Sequence, residues 1–544
     1  MNPESLAEIH AWIADDPDPT TVAQLREYIA NGNEADLKKC FSGFLQFGTA
    51  GLRGPIGPGP SCMNQAVVGR TATGIARYMT ARGLRKVIIG RDARHGSEDF
   101  CRVSAEILSG AGMDVFVLPE PLPTPVLAFA VNELNADVGI MVTASHNPAH
   151  DNGYKVYLGG VVDGIDYRGS QIISPADSQI SQEISKVTSL AKEPRGKKWT
   201  VLDFSIVDKY VERTVRIAGD SKPNTASEIR IAYSAMHGVG TKTLQQVFEK
   251  AGFTNLFLVK EQSAPNPNFP TLPFPNPEEQ GAMDLAMETA RAVGADIVIA
   301  NDPDADRCAM AVKRNDDSWQ MLRGDEIGAI LGQYIASTSR TGVLATSIVS
   351  STILEKIAKA HALNFENTLT GFKWLSKIEN LAFGYEEALG YCVDSEAVND
   401  KDGISAALLL TRISAELKVQ SKSVFDLLDE IWKLHGFHAT EQISQRCDSL
   451  MHVRSTMEKI QKSHPSDIAG FKVLSVEDLS HPTDGLPPTE GLRLWLANGV
   501  RIIIRPSGTE AKIKCYIEVI SNTGRDDAMK TIAQLRAPLI QYLK

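Results

Sequence analysis

The 544-residue chain reads as an α/β protein of three related doubly wound units followed by a smaller α+β domain. Three observations predict this. From Val87 onward, short apolar runs alternate with helical periods, the mark of a mostly parallel, doubly wound sheet. The pattern restarts near Ile229 and again near Val343, each time placing polar residues after a buried strand. Beyond Thr440 it changes, and strands at Leu492–Trp495, Val500–Arg505 and Ile513–Ile520 follow one another between two helices. With roughly 150 residues per domain as a guide, the expected domains are 1–219, 220–322, 323–439 and 440–544.

Residues 1–40 predict two short amphipathic helices, Leu6-Ile9-Trp12-Ile13 on one and Val22-Leu25-Tyr28-Ile29 on the other, a packing extension. The first unit then offers strands at Val87–Gly90, Asp114–Leu118 and Asp137–Val142, and helices at Ser97–Leu108 and Pro125–Leu134. Thr124 is placed to cap the second helix, with Pro125 at its first position. A helix at Ile206–Ile217 and a polar stretch at 219–227 close the unit. The second has strands at Ile229–Tyr233, Leu256–Val259 and Asp296–Ala300, helices at Lys242–Ala251 and Glu278–Val293, and a proline-rich surface loop over Pro265–Pro277. The third starts near Arg323, with a strand at Val343–Val349 and a helix from Ser351.

Composition narrows the function. Hydrophobic residues at 43% and charged residues at 22% leave little room for long disorder. A net charge of -10 argues against nucleic acid or an anionic membrane as the main partner. The seven cysteines are spread out with no CxxC pair, which fits reduced thiols in a cytoplasmic protein and gives no zinc site. Met1–Asp16 lacks the basic and apolar regions of a signal peptide. No apolar stretch approaches the ~20 residues of a spanning helix.

Four loops carry candidate chemistry. Thr143-Ala144-Ser145-His146-Asn147-Pro148 follows the apolar run Val138–Val142, where α/β proteins place ligand sites. The same residues suit a turn or helix cap, so on their own they leave both readings open. Asp302-Pro303-Asp304-Ala305-Asp306 sets three carboxylates at alternate positions, able to converge on one hard cation, with magnesium expected; the alternative is a solvated acidic turn. An EF-hand does not fit, since Arg307 and Lys313 stand where its Gly and Glu belong. Arg505-Pro506-Ser507-Gly508-Thr509 offers a guanidinium, two hydroxyls and free N–H groups suited to a phosphate, or forms a plain hairpin loop. Phe47-Gly48-Thr49-Ala50-Gly51-Leu52-Arg53-Gly54 lets the backbone approach a ligand, with Arg53 as an anion contact, or is an ordinary glycine loop. Glu386 and Glu387 are able to accept hydrogen bonds from sugar hydroxyls, or are two surface acids at a strand end.

Taken together and in this order, FGTAGLRG at 47–54, TASHNP at 143–148, DPDADR at 302–307, GYEEALG at 384–390 and RPSGTEAK at 505–512 resemble the α-D-phosphohexomutase superfamily over nearly the whole chain. The resemblance implies four domains around a cleft and a phosphoserine enzyme. Such an enzyme moves a phosphoryl group between the anomeric and terminal hydroxyls of an α-D-sugar phosphate, by way of a sugar bisphosphate that also acts as activator. Ser145 would carry the phosphoryl group, and Asp302, Asp304, Asp306 and the phosphoserine would hold Mg2+. Arg307 would neutralise developing charge, with Arg53 assisting. His146 and Lys155 are the proton-transfer candidates, Lys155 first, on the expectation that desolvation lowers its pKa toward neutrality. Thr49, Lys373, Glu386, Glu387 and Lys401 would bind the sugar, and Arg505, Ser507, Gly508, Thr509 and Lys512 the non-reacting phosphate.

One departure matters. Glucose- and mannose-specific relatives tend to have Gly before the sugar-loop glutamate and Ser two residues after it, where this chain has Tyr385 and Ala388. With the N-terminal extension and Met236-His237-Gly238-Val239-Gly240, this resembles the phosphopentomutase-like branch and implies broad specificity for ribose, deoxyribose and glucose phosphates. Phosphomannomutase, sugar-1,6-bisphosphate synthase and a non-catalytic sugar-phosphate-binding protein are the rival expectations. The protein is expected to be a monomer or small homo-oligomer.

Overall fold

In the computed structural model, which describes residues 3–217, 219, 228–339, 341–483, 485–507 and 511–543, the chain divides into two compact units. The first is Met1–Leu322 with Ala388–Gln420, and the second is Arg323–Glu387 with Ser421–Lys544.

The first unit holds two sheets of like design. Val138–Val142, apolar and buried on both faces, pairs in parallel with Lys86–Arg91, which pairs in parallel with Asp114–Val117. This is the burial that parallel strands covered by helices require. On its other side Val138–Val142 meets Asp151–Leu158 antiparallel, and Leu52–Pro55 adds antiparallel to that. The second sheet repeats the scheme. Ile297–Asn301 is parallel to Ile231–Ser234, which is parallel to Leu256–Leu258, and Ile297–Asn301 then turns back into the antiparallel strand Cys308–Lys313. Residues 143–150 and 302–307 are therefore equivalent connections, each leading from a buried parallel strand into an antiparallel neighbour.

The N-terminal extension has three helices, Pro3–Asp15, Pro19–Ala30 and Glu34–Cys40, not two. They close a small core around Ile9, Leu25 and Leu37, and Asp15 anchors them by accepting from Ser189 Oγ, Leu190 N and Ala191 N. The predicted helix at Glu278 begins later, at Asp284, after a run of turns. Residues 265–277 are irregular as expected but not merely superficial, since Phe269 and Leu272 are buried. The stretch 220–227, expected as a boundary, lies outside the described residues.

In the second unit Val343–Ser347 is the middle of a parallel set with Asn364–Thr368 and Leu381–Glu386. A fully antiparallel sheet follows, in the order Phe437–Arg446, Lys512–Ser521, Val500–Pro506, Leu492–Leu496, Phe471–Asp478, Asp467–Ile468, backed by helices Leu450–Lys462 and Arg525–Tyr542. The boundary expected at 439/440 falls inside Phe437–Arg446, and residues 388–420 of the expected third domain pack with the first unit. A buried ionic cluster ties this unit's segments together. Glu518 accepts from Ser351 Oγ at 2.6 Å and His438 Nδ1 at 2.9 Å and pairs with Arg501 at 2.9 Å. No helix among the described residues is long and apolar enough to cross a membrane.

Candidate active site

Within the first unit, the two equivalent connections meet. Ser145 is 3% exposed and adopts φ 51°, while Ala305 in the acidic loop adopts φ 55°. The left-handed turn disfavours L residues and persists only where surrounding contacts enforce it. For Ser145 those contacts include its N–H, donated to Thr143 Oγ1 at 2.9 Å. Its hydroxyl then donates to Asp302 Oδ2 at 2.6 Å and lies 3.2 Å from His146 Nδ1.

Asp302, Asp304 and Asp306 are all buried, with one carboxylate oxygen from each within 4.8 Å of the others. Lys155, on Asp151–Leu158, places Nζ 2.7 Å from both Asp304 Oδ2 and Asp306 Oδ2, and Lys401 Nζ lies 3.3 Å from Asp306. Burial and the two neighbouring carboxylates push Asp302 well above the usual carboxylate range. Burial acts the same way on Asp304 and Asp306, but it is outweighed by Lys155 and Thr124 together on Asp304, and by Lys155, Lys401 and Arg307 together on Asp306, so both stay below that range. Asp304 Oδ1 and Asp306 Oδ1 are buried without a hydrogen-bond partner among the described residues. Unpartnered buried carboxylate oxygens are costly, and a hard oxygen-seeking cation would satisfy them. The residues present thus fit a metal ion.

The expectation for Lys155 is corrected here. Desolvation lowers its pKa as foreseen, but Asp304 and Asp306 more than offset that and raise it above its ordinary value. His146 moves the other way. Burial first, then the Arg307 and Arg53 guanidiniums, push its imidazole well below the usual histidine range.

Arg307 donates its N–H to Asp302 Oδ1 at 3.0 Å, and its guanidinium lies 3.7 Å from Glu278. Arg53 donates to Asn147 Oδ1 at 3.2 Å, so the glycine loop touches the serine loop. Gly51 is required there: at φ 74° a Cβ would sit 1.8 Å from the Tyr154 carbonyl oxygen. Thr49 is at the tip of a tight turn closed by reciprocal Gly48 and Gly51 backbone bonds.

Thr124, expected to cap its helix, is the helix's first residue, and Pro123 stands at the cap position. Its hydroxyl donates instead to Asp304 Oδ2 at 2.6 Å, and its N–H to the Asp304 carbonyl at 2.9 Å. Tyr157 and Gln171 fix Asp400, the neighbour of Lys401, at 2.9 and 2.8 Å. Sequence reasoning did not single out Thr124, Tyr157 or Asp400 for the site, because nothing local distinguishes them.

In the second unit, Glu386 Oε1 accepts from Gly371 N at 2.7 Å, bringing it beside the short helix Phe372–Leu375 that carries Lys373. Glu387 turns elsewhere: its Oε2 accepts from Ser350 Oγ at 3.0 Å and Ser347 Oγ at 3.2 Å. Burial, then Glu386 and Asp325, push its acid up to about 7. Tyr385 is fully buried and donates to Asp325 Oδ1 at 2.9 Å. The tyrosine that departs from the hexose pattern thus fills the interior. Arg505 is the penultimate residue of the strand Val500–Pro506, and Ser507 N donates to Lys512 O at 2.8 Å to close the hairpin. Gly508 and Thr509 lie outside the described residues.

Comparison with known proteins identifies the family and the fold. Residues 45–190, 208–315 and 323–435 match, in order, phosphoglucomutase/phosphomannomutase alpha/beta/alpha domains I, II and III. The chain is 43% identical to a probable phosphomannomutase of Haemophilus influenzae, over 87% of this chain and 96% of that one. It is 33% identical to a phosphopentomutase of Pongo abelii, over 96% and 92%. The fold superposes on the crystal structure of pp63/parafusin, a phosphoglucomutase from Paramecium, with a TM-score of 0.71 at 19% identity, covering 93% of this chain and 96% of that one. The chain belongs to the phosphoglucomutase/phosphomannomutase family of phosphomutases, within the α-D-phosphohexomutase superfamily.

Proposed function

We propose that this chain is a magnesium-dependent phosphoserine mutase that moves a phosphoryl group between the 1-hydroxyl and the terminal hydroxyl of α-D-pentose and hexose phosphates. The observation that carries the reading is the Ser145 hydroxyl held 2.6 Å from Asp302 among three buried carboxylates. A phosphoserine there bears about -1.5 to -2 charges. Asp302, Asp304, Asp306 and the phosphoserine would hold Mg2+, which when bound neutralises charge on the phosphoryl oxygens.

The rest belongs to the side chains. Transfer from Ser145 breaks the Oγ–P bond and forms a P–O bond to a sugar hydroxyl, whose proton passes to a nearby base while the freed Ser145 Oγ takes up a proton and returns to the hydroxyl. Neutral His146 suits that role, because its imidazole is kept unprotonated. In the reverse half, where phosphoryl leaves the sugar, the oxygen left behind takes a proton, and the charged Lys155 suits as its source. Arg307 and Arg53 bring positive charge to the transferring group. The bisphosphate then reorients and returns its other phosphoryl group to Ser145. In this reading Thr49, Lys373, Glu386 and Lys401 bind the sugar, and Arg505, Ser507, Gly508, Thr509 and Lys512 the non-reacting phosphate.

Similarity to a phosphopentomutase across nearly the whole chain, and the absence of a hydroxyl at Ala388, support broad sugar specificity. The seven free thiols support a cytoplasmic setting. Purified protein incubated with glucose 1,6-bisphosphate and Mg2+ is expected to gain a phosphoryl group on Ser145, seen by mass spectrometry. It should interconvert ribose 1- and 5-phosphate and glucose 1- and 6-phosphate. No adduct, together with full turnover in Ser145→Ala, would overturn the proposal.

A further inference from the structure

Arg94, on the loop after Lys86–Arg91, is 5% exposed, and its guanidinium faces the main chain of the serine loop. Nη2 donates to the carbonyl oxygens of Ser145 and Asn147, each at 2.6 Å, and Nη1 to those of Pro148 at 2.8 Å and Asp151 at 3.2 Å. Asp92 orients the group from behind, 3.3 Å from Nε, and is itself held by Arg94 N at 2.9 Å and Ser97 Oγ at 2.6 Å. The Phe269 ring lies 4.8 Å from the guanidinium carbon. Four carbonyls from one loop converge on a single side chain, a pattern that a planar fork of donors can satisfy and a lysine's point charge cannot.

What those carbonyls belong to gives Arg94 its role. Ser145 holds a left-handed φ of 51° that an L residue keeps only under constraint. Its carbonyl is one of the four, and its hydroxyl must reach Asp302 at 2.6 Å.

We propose that Arg94 is a positioning residue that wraps residues 145–151 around its guanidinium and so fixes the Ser145 hydroxyl against Asp302. Its effect on turnover rests on the mutase reading; its effect on the loop does not.

The test uses full-length Arg94→Met and Arg94→Lys. Amide hydrogen exchange over residues 143–151 is expected to speed up by about tenfold or more in Arg94→Met, with other segments unchanged. Turnover of glucose 1-phosphate with glucose 1,6-bisphosphate and Mg2+ should fall about 100-fold in kcat, the scale of a reacting atom displaced by ~1 Å. KM should stay within about threefold, since substrate contacts are untouched. Arg94→Lys keeps the charge opposite Asp92 and should fold if the methionine variant does not; it should show the same two effects to a smaller extent. Unchanged exchange over 143–151 in a folded variant, or kcat within about threefold of wild type, overturns the proposal. A wild-type protein with no turnover on any sugar phosphate would remove the mutase reading, while the exchange measurement still decides the role of Arg94.

Discussion

Ser145 Oγ donates to Asp302 Oδ2 at 2.6 Å, joining two loop residues that lie 157 positions apart in the chain. This bond places a hydroxyl in a cluster of carboxylates that is unfavourable on its own terms, because Asp302 is desolvated beside Asp304 and Asp306. Asp302→Asn should therefore raise the melting temperature in chelator, by about 2–4 °C for each kcal/mol of repulsion relieved. The same change should lower turnover by about 100-fold. Scanning calorimetry with EDTA beside a coupled mutase assay checks both arms; a variant that is less stable in EDTA would contradict the account of the cluster.

Lys155 is the internal counter-charge of that cluster, with Nζ 2.7 Å from Asp304 and from Asp306. Lys155→Met removes the ammonium from two buried carboxylates and leaves Asp306 with Lys401 as its nearest cation, a change that costs about 3–5 kcal/mol in comparable buried pairs. Millimolar Mg2+ should restore most of that loss, because an ion at the unpartnered Oδ1 atoms neutralises the same two carboxylates that the ammonium holds by Oδ2. Urea unfolding with and without Mg2+ measures it, and equal losses in the two conditions would show that no cation binds there.

The parts of this site legible in the sequence are those whose signal is local. Ser145 and Asp302–Asp306 stand out because polar residues abruptly follow apolar runs at strand ends. Their meeting was not legible, since it depends on two sheets built from distant segments. Thr124 illustrates the limit: a Thr before Pro looks like a helix cap, yet the same hydroxyl satisfies Asp304. Lys155 illustrates another, because burial was foreseeable while the two carboxylates that reverse its effect were not. Phe437–Arg446 was missed as a strand because Thr440, Glu441 and Gln442 interrupt its apolar alternation. Glu278–Met283 carries good helix formers, but the turn chemistry after Pro277 prevails until Asp284.

Thr124→Val keeps the shape of the side chain and removes the hydroxyl that donates to Asp304 Oδ2 at 2.6 Å. Outer contacts of this kind orient metal-binding carboxylates, and losing one typically weakens metal affinity or activity by about 10–100-fold. The expected result is a higher Mg2+ concentration for half-maximal turnover, with Thr124→Ser close to wild type. An unshifted Mg2+ requirement in Thr124→Val would leave the hydroxyl a purely structural role.

Glu518 makes the acid stability of the second unit predictable. Burial alone would raise its pKa, but Arg501, His438 and Ser351 outweigh burial and bring the carboxyl down to about 2. An unfolded glutamate titrates near about 4.3, so the folded state is the one that binds the proton less readily. The resulting stabilisation is fully present above the unfolded pKa and is lost as pH falls from there toward 2. Its full size is about 3 kcal/mol, from a shift of just over two units. Glu518→Gln should remove this acid-sensitive component and, at pH 7, cost about 3–5 kcal/mol by leaving the buried Arg501 unpaired. Urea unfolding of both proteins at pH 7, 5 and 3.5 tests the sign: the gap between them should narrow as pH drops. A constant gap across that range would assign the acid sensitivity to other carboxylates.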